Sequence, residues 1–362
     1  MHESQMSDPK TIIEAYEAGR IRRILLIRVS RVGDLIFTTP SIRRLKARFP
    51  KAEFHFLTNA YSQQVLQGNP HISRVHLMDR KSIGWRLFGL TPAAAALRKA
   101  GIDLVIPFRW RNEYKPLFKK IEAPFVYRLT NTGATNESSH VAERLLDGLA
   151  PLGVEPDDRG MEVFFGEDEK RAVDEFLARL GLEKGPVVVL HPGCHQTRKA
   201  RRGGSAAKRI WPAAHWAELV QHLHRKNGSS PILTGFSGGD IAGNEEICRI
   251  SGLYIPQFTG GSLNGLAALL ARADAFVCGD TGPLHVASAV SAPTVALFGP
   301  SRPEVTGPYR NRGGAIVLQK QIECVPCKGN DIKCSDNKCM KQISVQDVCN
   351  SLSQFFETRT QP

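Results

Sequence analysis

The feature that most limits how this chain can fold is a series of short, unbroken apolar runs. They are RILLIRV (23–29), EFHFLT (53–58), RVHLM (74–78), DLVIPF (103–108), PFVYRL (124–129), PVVVLHPG (186–193), PILTG (231–235), AFVCGD (275–280) and PTVALFGP (293–300). A strand with one wet face alternates apolar and polar residues, whereas RILLIRV and PVVVLHPG do not, so these two predict strands buried on both faces. Helical stretches separate them: a pattern toward RRLKARF, residues 60–68, TPAAAALRKAG, and SSHVAERLLDGLAPLG with a serine cap and a glycine stop. After residues 151–170 the alternation restarts with EDEKRAVDEFLARLGL, PAAHWAELVQHLHRKNG with proline at its first position, LNGLAALLARA and PLHVASAV. Strand–helix alternation of this kind predicts an α/β chain with parallel sheets covered on both faces. The restart, in a chain of 362 residues, predicts two doubly wound, Rossmann-like domains facing a cleft. The expected boundaries are 1–165 and 166–340, with residues 341–362 a C-terminal helix packing back on the N-terminal domain.

Open parallel sheets bind ligands beyond the carboxyl ends of their strands, so the loops there are the place to look for chemistry. After AFVCG comes Asp280-Thr281-Gly282, then a helix carrying His285. Gly279 and Gly282 permit a tight turn, and a helix N-terminus offers free N–H groups to an anion. Thr281 can add a hydroxyl. Asp280 fits less well beside a phosphate and is better suited to accepting amide hydrogen bonds that hold the loop. Plain helix capping by Asp280 and Thr281 explains the pattern equally well, and His285 reads equally as a partly buried helix histidine.

The loop after PVVVLHPG begins with His191, Pro192 and Gly193. It continues through the basic RKARRGGSAAKR (198–209), bringing Lys208 and Arg209 toward the same end of the sheet. LTGFSGGD (233–240) places Asp240 at a helix start, where it can cap or hold a ribose hydroxyl pair, with Glu245 and Glu246 as alternatives. In the first half, RVSRVGDLIFTTP (28–40) puts Gly33 and Asp34 directly after the first strand. Arg28, Ser30, Arg31 and Gly33 are candidates for acceptor or phosphate contacts. Pro40 predicts a bent or restarted helix after Asp34.

Charge and cysteine content narrow the partners. The formal net charge of +13 suits an anionic ligand or surface. No RRM, zinc-finger or helix-turn-helix pattern makes that charge specific for nucleic acid. No run approaches the length of a membrane span, and the N-terminus lacks the apolar core of a secretory signal, so the expected location is the cytoplasm or a cytoplasmic membrane face. Four of the eight cysteines, Cys324, Cys327, Cys334 and Cys339, stand in C-x2-C-x6-C-x4-C spacing. That spacing resembles a small structural zinc site, with buried free thiols or disulfides as the alternatives.

Taken in order, RVSRVGDLIFTTPSIRRLKARFP, HPG followed by KRIWP, GDTGPLHVASAVSAPTVALFGP and the cysteine-bearing tail resemble glycosyltransferase family 9, the bacterial lipopolysaccharide heptosyltransferases, across residues 22–349. The resemblance implies a GT-B fold and inverting transfer of heptose from ADP-L-glycero-D-manno-heptose to the lipopolysaccharide inner core. It implies no metal or other cofactor beyond the nucleotide-sugar donor, and cysteines at this place without a metal in the chemistry. Asp34 matches the catalytic-base position, and Gly279, Asp280, Thr281, Gly282 and His285 match the donor motif. Lys208 or Arg209 matches a phosphate-facing lysine. The usual Lys-x-Trp-Pro is departed from here, because Ile210 lengthens the spacing from Lys208 to Trp211. Gly193 and Asp240 complete the donor set. The lipid A–core acceptor and an anionic membrane surface are the further partners implied, with peripheral attachment to the inner face of the inner membrane around Arg109, Trp110, Arg111 and Lys115. Three other readings compete: a different nucleotide sugar or acceptor, a sugar-nucleotide epimerase that needs no acceptor, and a non-catalytic basic module binding lipid or nucleic acid with steep salt dependence. The sequence carries no signal of oligomeric state.

Overall fold

Ile24, Leu25, Leu26 and Ile27 are all fully buried, as expected for a strand with helices on both sides. The computed structural model describes residues 6–78, 92–130, 138–182, 186–193, 208–227, 231–327, 334 and 336–357. Two units divide the chain, Met1–Phe164 and Phe165–Pro362.

The first unit runs α1 (Pro9–Glu17), β1 (Arg23–Ile27), α2 (Val32–Ile36), α3 (Thr39–Arg48), β2 (Glu53–Thr58), β3 (Arg74–Leu77), α4 (Pro92–Lys99), β4 (Leu104–Pro107), α5 (Lys115–Ile121), β5 (Phe125–Val126) and α6 (Val141–Asp147). Its sheet has the order β3-β2-β1-β4-β5, and every pair is parallel. The helix after β1 stops at Ile36 and restarts at Thr39 with Pro40 in its first turn, where a missing N–H costs nothing.

Several local readings are corrected. Residues 63–66 form a short 3-10 turn rather than a regular helix, and PFVYRL contributes only Phe125 and Val126 to the sheet. The cap of α6 is His140, whose Nδ1 accepts from Ala142 N at 3.1 Å, and not a serine. The helix α1 was not anticipated. Asp8 caps it by accepting from Thr11 N, Pro9 opens it, and Ile12 and Ala15 bury its inner face.

The second unit runs α7 (Glu167–Arg179), β6 (Val188–His191), α8 (Ala213–Asn227), β7 (Ile232–Gly235), α9 (Gly238–Ser251), β8 (Gln257–Thr259), α10 (Leu263–Arg272), β9 (Ala275–Gly279), α11 (Gly282–Ala289), β10 (Thr294–Phe298), α12 (Pro303–Thr306), β11 (Ala315–Gln319), α13 (Lys338–Lys341) and α14 (Val345–Glu357). The strand order is β11-β10-β9-β6-β7-β8, again all parallel. The two outer strands, β8 and β11, were missed because they are short or lie half-exposed at the sheet edge.

Helix α14 falls within residues 341–362. Val345, Val348, Cys349 and Leu352 belong to the core of the second unit, packed with Trp216, Leu219 and Leu223 of α8. Its apolar stripe is buried within that unit. Among the described residues no helix is long and apolar enough to cross a membrane.

Candidate active site

Each sheet reverses its winding direction once, and the candidate residues lie at those two places. In the first unit β1 is flanked by β2 and β4, so the loops after β1 and β4 leave the sheet side by side. In the second, β6 pairs with β9, with His191 opposite Cys278 at their carboxyl ends.

The loop after β1 is held firmly. Thr58 Oγ1 donates to Arg28 O at 2.9 Å, and Asn59 Nδ2 and Ser62 Oγ both donate to Ser30 O at 2.7 Å. On this frame Arg28 forks: Nε donates to Ser30 Oγ at 3.1 Å and Nη2 to Asp34 Oδ1 at 3.1 Å. The Arg28 side chain is 8% exposed and that of Asp34 is 38%. A buried guanidinium thus orients a carboxylate that still reaches solvent, an arrangement fit for a base. Burial lowers the Arg28 pKa, with Arg109 adding to the depression and Asp34 opposing it. Arg109 follows β4, so two arginines and Asp34 share this end of the sheet. Arg31 is exposed and makes no side-chain cap to α2. Trp110 is half-buried, its ring 5.4 Å from Phe118 and under the Arg128 guanidinium at 5.4 Å, so it is not an exposed membrane anchor.

In the second unit Asp280 is the hub. Ser301 Oγ donates to its Oδ2 at 2.7 Å, and Arg209 Nη1 lies 3.0 Å from the same oxygen. The loop is therefore held by a side-chain hydroxyl and a guanidinium, not by the amide bonds expected for Asp280. Gly279 lets the Arg209 backbone approach closely, since a Cβ there would stand 3.2 Å from its carbonyl oxygen. Thr281 occupies the cap position of α11 but makes no side-chain cap bond. Its hydroxyl is buried without a partner. Simple capping thus does not account for Thr281. A buried hydroxyl with nothing to bond, beside first-turn N–H groups that a helix leaves unsatisfied, is a place prepared for an anionic oxygen. His285 lies one turn further along α11 and is 4% exposed.

Lys208 and Arg209 have separate surroundings. Arg209 joins Asp280, whereas Lys208 is buried. Most of the basic loop, residues 194–207, lies outside the described residues. His191 is kept neutral by burial, against the opposing pull of Asp240, and its Nδ1 is 3.0 Å from Thr234 Oγ1.

Asp240 has a structural occupation. Its Oδ2 accepts from Phe236 N, Ser237 N and Ser237 Oγ at 3.2, 3.0 and 2.8 Å, closing a capping box on α9. Its other oxygen abuts Gly193, where any Cβ would collide with it. A hollow of about 70 Å³ next to it is lined by Gly193, Trp211, Trp216, Asp240 and Glu246 among others. Glu246 is the second acidic side chain lining this hollow. A larger groove of about 800 Å³ lies between α7 and α10 and contains none of the strand-end residues. Ser301 and Trp216 were missed by sequence reasoning. Ser301 sits just after β10, in the same strand-end position as the recognised loops, and that was its available signal. Among the described residues no three His, Cys, Asp or Glu side chains already stand as a metal-binding group.

Comparison with known proteins decides the family. Residues 161–336 match glycosyltransferase family 9 (heptosyltransferase). The lipooligosaccharide heptosyltransferase 2 of Campylobacter jejuni serotype O:2 is 30% identical over 331 residues, 90% of this chain and 96% of that one. The chain belongs to glycosyltransferase family 9. The lipopolysaccharide heptosyltransferase 1 of Pseudomonas aeruginosa, another similar protein, is 25% identical over 92% of this chain and 98% of its own. Among solved structures, a family 9 glycosyltransferase from Veillonella parvula superposes with a TM-score of 0.78 at 24% identity, covering 93% of this chain and 98% of that chain. ADP-heptose LPS heptosyltransferase II of Escherichia coli gives a TM-score of 0.72 at 21% identity, covering 93% and 99%. As a family 9 member the chain is a glycosyltransferase of the GT-B fold class, with two parallel-sheet α/β units.

Proposed function

We propose that this glycosyltransferase inverts configuration as it moves heptose from ADP-L-glycero-D-manno-heptose to the lipopolysaccharide inner core. In this reading the first unit (1–164) holds the acceptor and the second (165–362) the nucleotide-sugar donor. The observation that carries it is the buried, unpartnered Thr281 hydroxyl at the start of α11, with Asp280 clamped between Ser301 and Arg209. The kinship with named heptosyltransferases supports the sugar and the acceptor.

Asp34 takes the proton of the acceptor hydroxyl as that oxygen attacks the anomeric carbon. Attack opposite the departing diphosphate inverts the centre. The charge that builds on the leaving oxygens is met by the first-turn N–H groups of α11, the Thr281 hydroxyl and Arg209. Those groups supply the positive potential that a metal provides elsewhere, so the reading is metal-independent. Arg209 is preferred to Lys208 because it already borders the 280–282 loop. Glu246 holds the ribose hydroxyls in place of Asp240. Arg28 and Arg109 present positive charge to phosphate or carboxylate groups of the acceptor. The enzyme works as a peripheral protein at the cytoplasmic face of the inner membrane, with Arg109, Arg111 and Lys115 meeting anionic headgroups. Cosedimentation with anionic but not neutral vesicles is the expected behaviour.

The deciding experiment incubates ADP-heptose with purified truncated core acceptors and reads product mass, with wild type and Asp34→Asn in parallel. A gain of one heptose with wild type alone is the expected result. Wild-type turnover of the donor without any acceptor would point to an epimerase.

A further inference from the structure

Ser301 can meet Asp280 only if the loop after β10 is held in place, and that loop is held from outside. Phe298 pairs with Gln319 at the last rung between β10 and β11. Beyond it the chain runs Gly299-Pro300-Ser301, with Gly299 and Pro300 buried. Buried carbonyls past the end of a ladder need donors from elsewhere. Gln319 supplies two, since its Nε2 donates to Gly299 O at 3.0 Å and to Ser301 O at 2.8 Å. The intervening Pro300 O accepts from Cys327 N at 2.9 Å. Gly299 is also packed against the fully buried Met340, whose Sδ would lie 2.7 Å from an added Cβ. The same Ser301 whose carbonyl is held by Gln319 donates its hydroxyl to Asp280 Oδ2 at 2.7 Å.

We propose that Gln319 is a positioning residue for the donor site: it fixes the backbone of Ser301, Ser301 fixes Asp280, and Asp280 sets the 280–282 loop. The proposal rests on the reading of that loop as the place of the donor diphosphate. A neutral amide suits the task, because its NH2 group carries two donors and no charge. A carboxylate of the same size has only acceptors to set against the two carbonyls, and an aliphatic side chain has neither.

The consequence for the donor lies in how Asp280 shares its partners. Its side chain is 8% exposed, and Oδ2 is met by both Ser301 Oγ and Arg209 Nη1. With Ser301 displaced, the carboxylate draws Arg209 more strongly, and that guanidinium is then less available to phosphate. Gln319 thus acts on the diphosphate through Ser301 and Asp280, without touching it. A second tie at the same strand end provides a contrast: Lys320 Nζ lies 2.8 Å from Asp347 Oδ2 on α14. Lys320 anchors the end of β11 and Gln319 anchors the loop.

The test measures ADP affinity by calorimetry, and KM for ADP-heptose and acceptor, in the full chain as wild type, Gln319→Leu, Ser301→Ala and the double variant. Gln319→Leu keeps the bulk and removes both donors. It is expected to weaken ADP binding and raise donor KM about three- to tenfold, the scale of lost hydrogen bonds, with acceptor KM unchanged. In the Ser301→Ala background the same substitution is expected to add nothing, because the path through Ser301 is already cut. Hydrogen exchange at Thr281, Gly282 and Leu284 of the ligand-free protein is expected to rise in either single variant and no further in the double one. Lys320→Gln is expected to leave every readout in place. Gln319→Glu is expected to lose at least as much as Gln319→Leu, and it carries the measurement if the leucine variant does not fold. Unaltered ADP affinity in both Gln319 variants, an equal loss in the two Ser301 backgrounds, or an equal loss in Lys320→Gln overturns the proposal. Wild-type protein that fails to bind ADP strikes the donor reading instead, and the exchange pattern at 281–284 then decides whether Gln319 sets the loop.

Discussion

Arg28 Nη2 lies 3.1 Å from Asp34 Oδ1, and the same guanidinium reaches Ser30 Oγ through Nε. The pair links the end of β1 to the first turn of α2 and sets the direction of the Asp34 carboxylate. Replacing Asp34 with Asn keeps the shape and removes the base. We expect kcat to fall about a hundred- to ten-thousand-fold, with donor affinity nearly unchanged in a direct binding assay. Turnover within a few-fold of wild type would falsify the assignment of Asp34.

Arg28→Lys separates charge from geometry. A lysine ammonium is a point charge and lacks the rigid fork that bonds Ser30 and Asp34 together. We expect kcat to drop by up to about a hundredfold, the scale of a base displaced by roughly an ångström, while donor KM changes little. Equal losses in donor and acceptor affinity would instead mean that the whole loop had collapsed.

Asp280 is buried and depends on Ser301 and Arg209 for its partners. Ser301→Ala removes one donor from a buried carboxylate, a change of about 1–3 kcal/mol. The expected readout is a rise in donor KM of about tenfold. Arg209→Ala is expected to raise donor KM more than Lys208→Ala, since Arg209 is paired with Asp280 in the 280–282 loop. The opposite ranking would return the phosphate role to Lys208.

How far the sequence revealed this molecule follows from where its signals are physical. Unbroken apolar runs require burial on both faces, so β1, β2, β6, β9 and β10 were legible residue by residue. The edge strand β11 carries a short apolar run, AIVL, that stays half-exposed and was passed over, and β8 is only three residues long. The place of α14 was not legible, because an amphipathic helix states that it must bury a face and not against what. Strand-end loops were found by position, but the roles within them were not. Asp240 reads identically as a cap or a ribose ligand until its three donors are seen. Ser301 had only its strand-end position after β10 to recommend it, and its role came into view with its bond to Asp280.

His55 and His76 are buried on β2 and β3, with His76 Nε2 3.1 Å from His55 Nδ1. Burial, then the neighbouring His55 and Arg74, lowers the His76 pKa from its usual 6.5 to about 4, and burial lowers that of His55 as well. Because the folded-state values lie below the unfolded ones, the unfolded chain binds the extra protons. Stability is therefore full above about pH 6.5 and declines as pH falls toward 4. Urea midpoints or hydrogen exchange of β2 and β3 measured across that window are expected to show the loss, and His76→Gln should flatten it. An unchanged slope in the variant would assign the acid sensitivity elsewhere.

Asp240 supplies the last prediction, since its two possible roles leave different marks. As a cap, it holds Phe236 and Ser237 through Oδ2 while its other oxygen fills the space beside Gly193. Asp240→Ala removes the N3 half of the capping box that Ser237 opens, and is expected to cost about 0.5–2 kcal/mol of stability, the scale of a lost helix cap. Gly193→Ala forces a Cβ against a carboxylate that three bonds prevent from moving, and overpacking of this kind costs about 1–3 kcal/mol. Combining the two relieves the collision, so the double variant should be more stable than the sum of the single losses implies. Thermal unfolding of the three variants measures this directly. The ribose role predicts something else: Asp240→Ala would raise donor KM far more than it lowers stability, and additive stability losses with Gly193→Ala would accompany it. Glu246→Gln is then expected to weaken donor binding more than Asp240→Asn does.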